Sequence, residues 1–476
     1  VALWCAALVV CVGCGDRWFE AGTLESAITN DQFTSWEKPS EWSQWRGGVL
    51  GGAVDERPLP TAWRAGEGLL WEVEIPGRGN SSPVVVGDSV LLTSEVSTAA
   101  GDELAVICID RFDGSQRWLT NVAMTRGRTH QKNGFASATV ASDGERVFAS
   151  FGAAGLFCLN MAGELVWKAE LPGDGHQWGS ASSPVLFAGL VIQLAETPSE
   201  SWLLAFDART GREVWRTHRE SRGCWTTPVL MERGASGGGD WQLVVNGTSS
   251  DNGQAGFVIA YEPSTGRELW RARGTSDIVC PTAIVADDQV ISVSNNAVFA
   301  VSADGLGDVT TSHVRWRLPS GGAYVPSGVF YRNRIYLITD GGVVTCHRPD
   351  SGETLWRKRF RGTFSASLVA GDGKLYAVSE QGDVQVFEAG DEFVSLATNR
   401  FNDRCLATPA ISNGQFFVRG ESRLYCIGSA GDQRIADARP ISADGAVPSP
   451  SDRQQPLEDA KATPNDAGGI SQNDNL

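Results

Sequence analysis

Three short polar segments carry the residues best suited to chemistry in this chain: His130-Gln131-Lys132-Asn133, His176-Gln177-Trp178-Gly179 and Arg222-Gly223-Cys224-Trp225. Lysine and arginine give charge-assisted hydrogen bonds, histidine and asparagine supply donors and acceptors, and indole rings offer flat stacking faces. Brought together, His130, Lys132, Asn133, His176, Trp178, Arg222 and Trp225 would form a mixed cationic and aromatic patch suited to a small anionic or sugar-like ligand. The same residues would equally serve as loop-to-loop hydrogen bonds that hold neighbouring elements in register. Catalytic patterns do not accompany them. The sequence has no nucleophile elbow, phosphate loop, HExxH or paired-cysteine zinc motif, and its histidines are not at close metal-ligand spacing, so no metal site is expected. Gly77 and Gly79 precede a strand pattern, which rules out a dinucleotide fingerprint.

The elements that must position these residues are read from seven tryptophans, Trp71, Trp118, Trp167, Trp215, Trp270, Trp316 and Trp356, at intervals of 40 to 55 residues. Five close a Gly-x-x-x-Trp unit, beginning at Gly114, Gly163, Gly211, Gly266 and Gly352. A period in the forties fits the blades of a β-propeller. Within one period, residues 82–86, 89–93, 105–109 and 116–119 are four short runs rich in β-branched residues and bounded by Gly and Asp turns. Such strand sets begin near Ser81, Ala136, Ser182, Thr226, Pro281, Pro326, Ser365 and Thr408. The last set has three strands, whereas residues 68–73 around Trp71 form a fourth strand with no blade before it. Joining the two removes two open edges at once. The sequence therefore predicts an all-β, eight-bladed propeller with four antiparallel strands per blade, closed by an N-terminal strand. Seven blades are the fallback, because the seventh set lacks its tryptophan. The tryptophans are expected between blades, and the three polar segments fall in the connections from one blade's last strand to the next blade's first, around the channel mouth.

The endings Asp207-x-x-x-Gly211-x-x-x-Trp215 and Glu262-x-x-x-Gly266-x-x-x-Trp270 resemble the repeat of PQQ-type propellers, a family that includes quinoprotein alcohol dehydrogenases and the outer-membrane assembly lipoprotein BamB. Residues 42–47 (Trp-Ser-Gln-Trp-Arg-Gly), Pro60-Thr61-Ala62-Trp63 and the run from Gly77 to Val84 are similar to secreted bacterial PQQ-binding-like repeat proteins. In that group a His-x-Lys-Asn segment followed by Trp-Gly-x-x-Ser-Ser-Pro recurs, which places His130, Lys132, Asn133, Trp178, Gly179, Ser182, Ser183 and Pro184 on the motif. The resemblance covers roughly residues 42–428. It implies the fold strongly and the activity weakly, since one fold hosts unrelated functions.

The ends of the chain read differently. Residues 2–12 are apolar, too short to span a bilayer, and lead into Val12-Gly13-Cys14. Small residues before a cysteine resemble a bacterial lipobox, with Cys14 as the lipidated residue. The expected organisation is a signal and lipobox-like segment at 1–14, a tether at 15–41, the propeller at 42–428 and a disordered acidic tail at 429–476. That tail holds eight acidic and four basic residues and lacks a strand pattern, so it cannot bury enough apolar surface to offset its entropy. A net charge of -16 argues against nucleic acid as the main partner. Of the ten cysteines, Cys108, Cys158, Cys346 and Cys426 occupy equivalent third-strand positions, which suits buried free thiols better than disulfides.

These readings give an exported protein of the periplasm or cell envelope, touching membrane only through a lipid anchor. Its leading function is a non-catalytic binding or assembly scaffold, similar to BamB, for an envelope protein or a small anionic or sugar-like ligand. One alternative is a divergent quinoprotein oxidoreductase holding PQQ with Ca²⁺ near Trp178 and Trp225. The resemblance to those enzymes implies a cofactor stacked between a tryptophan floor and a vicinal disulfide, and no two cysteines here are adjacent; no cofactor is therefore the expectation. A second alternative is a carbohydrate- or polymer-binding module using Trp178, Trp225, Tyr324 and Phe364 as stacking surfaces.

Overall fold

A computed structural model describes residues 41–429 except 56–57, 126–127, 174, 234–239, 250–253, 277 and 296. The expected lipobox with Cys14, the tether up to residue 40 and the tail from residue 430 lie outside the described residues.

Eight small antiparallel sheets make up the fold, with strands here lettered A to D in each blade. Blades 1 to 7 span residues 84–124, 141–169, 185–218, 229–275, 284–318, 329–359 and 369–400. Blade 8 takes strands A to C from residues 410–427 and strand D from Leu69–Glu74, so the ring closes as the strand count predicts and the seven-bladed fallback falls away. Neighbouring A strands lie side by side around the axis. Two blades carry a fifth strand that the sequence did not announce: Ala53–Val54 runs parallel to strand A of blade 7, and Gly307–Asp308 covers strand D of blade 4.

Tryptophan and glycine spacing has one mechanical explanation. In every blade the C–D pairing slips by one residue just before the tryptophan position, a bulge that turns the ring out of the alternating pattern. The ring then docks on the C–D turn of the following blade. Indole Nε1 of Trp71 donates to Arg111 O at 2.9 Å, Trp118 to Met161 O at 3.0 Å, Trp167 to Ala208 O at 3.0 Å, Trp316 to Pro349 O at 2.8 Å and Trp356 to Gly390 O at 3.0 Å. Each turn glycine lies against the previous ring. A Cβ on Gly163 would meet Trp118 at 2.6 Å, on Gly211 Trp167 at 2.6 Å and on Gly266 Trp215 at 2.4 Å, all three at positive φ. Gly-x-x-x-Trp thus joins a socket for the preceding blade to a plug for the next. Trp270 departs from this pattern. It is fully buried and donates to Gln242 Oε1 of its own blade, because the long C–D connection of blade 5 replaces the glycine socket with a fifth strand. At the tryptophan-less seventh blade, Ala397 occupies the docking register, and Trp63 packs there instead against Phe401 and Phe416 at 5.9 and 5.8 Å.

Cys108, Cys158, Cys346 and Cys426 are the register partners of Trp118, Trp167, Trp356 and Trp71. All four are buried and outside any disulfide, small groups backing a large ring. Burial pushes the Cys158 and Cys346 thiols up to about 12, so they are un-ionised at neutral pH.

Nearer the axis, hydroxyls lace the blades. The backbone N–H of Ser82 donates to Thr139 Oγ1, that of Thr139 to Ser183 Oγ and that of Ser183 to Thr227 Oγ1; the series resumes from Thr282 to Ser327, Ser367 and Thr408. Residues 42–46 thread through this ring. Trp42 exchanges backbone bonds with Val85, Ser43 O accepts from Ser142, Gln44 Oε1 accepts from Leu186, Trp45 Nε1 donates to Thr282, and Arg46 donates to Gly328 O and Leu368 O. One short segment therefore ties together blades 1, 2, 3, 5, 6 and 7. Arg46 is 2% exposed, its charge meets only carbonyl acceptors among the described residues, and burial lowers its guanidinium pKa.

Candidate functional site

Blade connections bring part of the expected patch together. His130 and His176 build the same turn in successive connections: each Nδ1 accepts the N–H two residues on, from Lys132 at 3.2 Å and Trp178 at 3.1 Å. Each histidine carbonyl accepts the N–H three residues on, from Asn133 and Gly179, both at 2.8 Å. In the neutral ring of His176 the proton therefore sits on Nε2. Burial lowers the pKa of that ring.

His176, Trp178 and Trp225 form one aromatic cluster. Ring centroids lie 5.2 Å apart for His176–Trp178, 4.8 Å for His176–Trp225 and 5.7 Å for the two tryptophans. Trp225 is anchored by Nε1 to Gly179 O at 2.8 Å, whereas Trp178 is 41% exposed. A close approach needs Gly223 here, since its Cβ would fall 2.9 Å from the His176 ring. Arg222 is exposed beside the cluster. Asn133 acts as a brace, donating from Nδ2 to Trp178 O at 2.6 Å, while Asn80 Nδ2 holds the carbonyls of Lys132 and Asn133.

Lys132 leaves the aromatic cluster altogether. Its Nζ meets Glu380 Oε1 of blade 7 at 2.8 Å, a bond that reaches from the blade 1–2 connection past blade 8. Burial pushes Glu380 up, but the bonds from Lys132 and Ser365 outweigh it and hold the carboxyl below its ordinary value. Arg404 lies 3.8 Å from the other oxygen. His130, Lys132 and Arg222 therefore do not converge on a single cationic pocket. Phe364 is corrected as a stacking surface: it is 1% exposed and packs with Phe360, whereas Tyr324 is 37% exposed.

Sequence reasoning missed a series of acids at the seventh position counted from the start of strand B: Glu95, Glu196, Asp340, Glu380 and Glu421 in blades 1, 3, 6, 7 and 8. Their recurrence at a fixed distance from the A–B turn was the available signal. Glu95 pairs with Arg78 at 2.6 Å. Glu196 and Arg219 form a fully buried pair at 2.9 Å, with Arg219 also on Tyr261 and Asn246 O, and with Glu196 accepting from Ser221 and the Cys224 N–H. Breaking such a pair costs about 3–5 kcal/mol, because a buried charge is left alone. Asp340 takes the N–H groups of Tyr324 and Val325, and burial raises its pKa. Blade 2 has no acid at this position. It carries Phe151-Gly152-Ala153-Ala154-Gly155, and beside it opens a cleft of about 280 Å³. Among the described residues no group of three or more His, Cys, Asp or Glu is placed to hold a metal, and no helix is long and apolar enough to cross a membrane.

A ring of eight four-stranded blades bound by ring-and-glycine docking defines a PQQ-type β-propeller. A family model described as outer membrane protein assembly factor BamB matches residues 52–174, 102–231, 199–309 and 307–392, and the chain belongs to that family. It is 25% identical over 287 residues to the outer membrane protein assembly factor BamB of Burkholderia pseudomallei strain K96243, covering 59% of this chain and 66% of the relative, just under two thirds of its length. Among solved structures, BamB from Moraxella catarrhalis aligns with a TM-score of 0.55 and 12% identity over 76% of this chain and 97% of its own. Quinohemoprotein alcohol dehydrogenase from Comamonas testosteroni aligns with a TM-score of 0.64 and 13% identity over 85% and 83%. These structural likenesses speak for the fold.

Proposed function

We propose that this protein is a non-catalytic scaffold of the bacterial cell envelope that presents its blade-connection face to an outer-membrane assembly partner. Family membership supports the role, and the exposed Trp178 face on Trp225 and His176 supports the surface. The observation that carries the non-catalytic part is the geometry of that cluster. Trp178 and Trp225 touch each other at 5.7 Å and 30°, so a planar quinone has no slot between them. Cys224, Cys280 and Cys405, the thiols of the blade connections, are separate and free. Both features speak against PQQ at the place where the quinoprotein alternative would put it. Export and lipidation at Cys14 belong to the same proposal, since a tethered propeller suits a protein that works at a membrane surface.

The test is complementation of a bacterium lacking its own BamB, scored by outer-membrane protein levels, beside equilibration of the purified protein with PQQ and Ca²⁺. Restored levels in complemented cells that fall again on Trp178→Ala, with no quinone uptake, are expected. Stoichiometric quinone binding with dye-linked alcohol oxidation would overturn the reading.

A further inference from the structure

The blade 2 corner opens a cleft on the connection face with an apolar floor and a cationic rim. Its floor is apolar: Leu104 and Phe151 are 1% and 5% exposed, and Phe135 and Ala154 pack on the same core between blades 1 and 2. Small residues make the space. Ala153 is exposed on the corner turn, and Gly175 at φ +82° passes so close that its Cβ would lie 3.2 Å from the methyl of Ala153. At about 280 Å³ the space is at the small end of ligand sites, room for one bulky side chain rather than a polymer.

On a chain of net charge -16, no acidic side chain lines the cleft among the described residues. Arg128 stands exposed there and makes no ion pair among the described residues. His176 brings a neutral ring whose Nδ1 is already occupied, leaving an Nε2–H donor. A cation and a donor above an apolar pocket match an apolar side chain with a carboxylate beside it.

We infer that this cleft docks an extended peptide segment of a partner protein through one aromatic or branched side chain inserted over Phe151 and an adjacent acidic residue held by Arg128. The inference rests on reading the connection face as a partner surface, and it names what that surface recognises.

The test uses the full chain and three fluorescent peptides, Gly-Ser-Phe-Asp-Ser-Gly, Gly-Ser-Ala-Asp-Ser-Gly and Gly-Ser-Phe-Lys-Ser-Gly, measured by anisotropy. The Phe-Asp peptide is expected to bind at least tenfold tighter than either control. Ala153→Trp, which fills the cleft from an exposed position, should abolish that preference, and Arg128→Glu should reverse it in favour of the Lys peptide. Both variants should keep the unchanged melting temperature of the parent. Equal binding of the three peptides, or binding indifferent to Ala153→Trp, overturns the inference. Preference for maltohexaose in the same cleft overturns it in favour of a sugar site. Binding seen only after deletion of residues 430–476 overturns it in favour of the chain's own tail. Complementation is scored separately, so loss of peptide selectivity with intact complementation rejects the cleft alone, and failed complementation with intact selectivity rejects the assembly role alone.

Discussion

Replacing Gly211 with alanine tests whether each turn glycine is the socket for the preceding blade's ring. Gly211 sits at φ +71°, and its Cβ would lie 2.6 Å from Trp167 Cδ2 and 2.8 Å from Cε3. The left-handed backbone costs a non-glycine residue about 1–2 kcal/mol, and forcing a methyl into a packed contact adds about 1–3 kcal/mol. Gly211→Ala should therefore lose roughly 2–5 kcal/mol. Trp167→Ala deletes a ring that is 9% exposed and bonded to Ala208 O, a loss of about 3–5 kcal/mol. In the double variant the new methyl meets no ring, so the overpacking part disappears and the combined loss should fall short of the sum by about 1–3 kcal/mol. Equilibrium urea unfolding followed by far-ultraviolet circular dichroism measures all four proteins. Costs that add to within about 0.5 kcal/mol would show that the two residues act independently and refute the socket.

Deleting residues 60–75 removes both Trp63 and the strand that completes blade 8; the truncated chain should aggregate or lose cooperative unfolding, and a monomer with unchanged melting would disprove the closure. Trp178→Ala should change the melting temperature by no more than a few degrees, because the ring is 41% exposed, whereas Asn133→Ala should destabilise the connection that holds it; calorimetry of the pair decides this, and the reverse ranking would make Trp178 structural. The Glu380 carboxyl is held below its ordinary value, so its bridge to Lys132 contributes stability at neutral pH that is lost as pH falls through its folded pKa, below the ordinary glutamate value of about 4.3. Melting temperatures from pH 6 to pH 3 should accordingly fall less in Lys132→Ala than in the parent. Asp340, whose pKa is raised by burial, works in the opposite sense; the Lys132 charge moderates that rise, so its removal widens the difference in the same direction. Identical slopes would mean that the bridge contributes nothing.

Legibility in the sequence followed what is repeated. Glycine, tryptophan and the short apolar runs recur because each blade makes the same contacts with its neighbour, so blade number and the closing strand around Trp71 could be counted from one sequence. The exceptions were half legible. Ser312 in place of glycine before Trp316 marks the connection that became the fifth strand of blade 4, and the missing tryptophan at Ala397 marks the interface that Trp63 fills. The fallback to seven blades arose because a tryptophan supplied from another part of the chain leaves no trace in the local repeat.

The site was legible only as a set of residue types. The sequence placed His130, Lys132, Asn133, His176, Trp178, Arg222 and Trp225 in connections of one face, and the matching histidine turns at 130 and 176 follow from local backbone chemistry. Which of them meet is decided across the ring, by contacts between residues up to hundreds of positions apart. Lys132 goes to Glu380, Asn133 becomes a brace, and His176 joins two tryptophans from two connections. The strap at residues 42–46 shows the same division. Its composition reads from the chain, but its path through the hydroxyl belt exists only once six blades surround it. Periodic contacts between neighbouring repeats are written in the sequence as a period; contacts across a closed ring have no period, and only closure of the ring creates them.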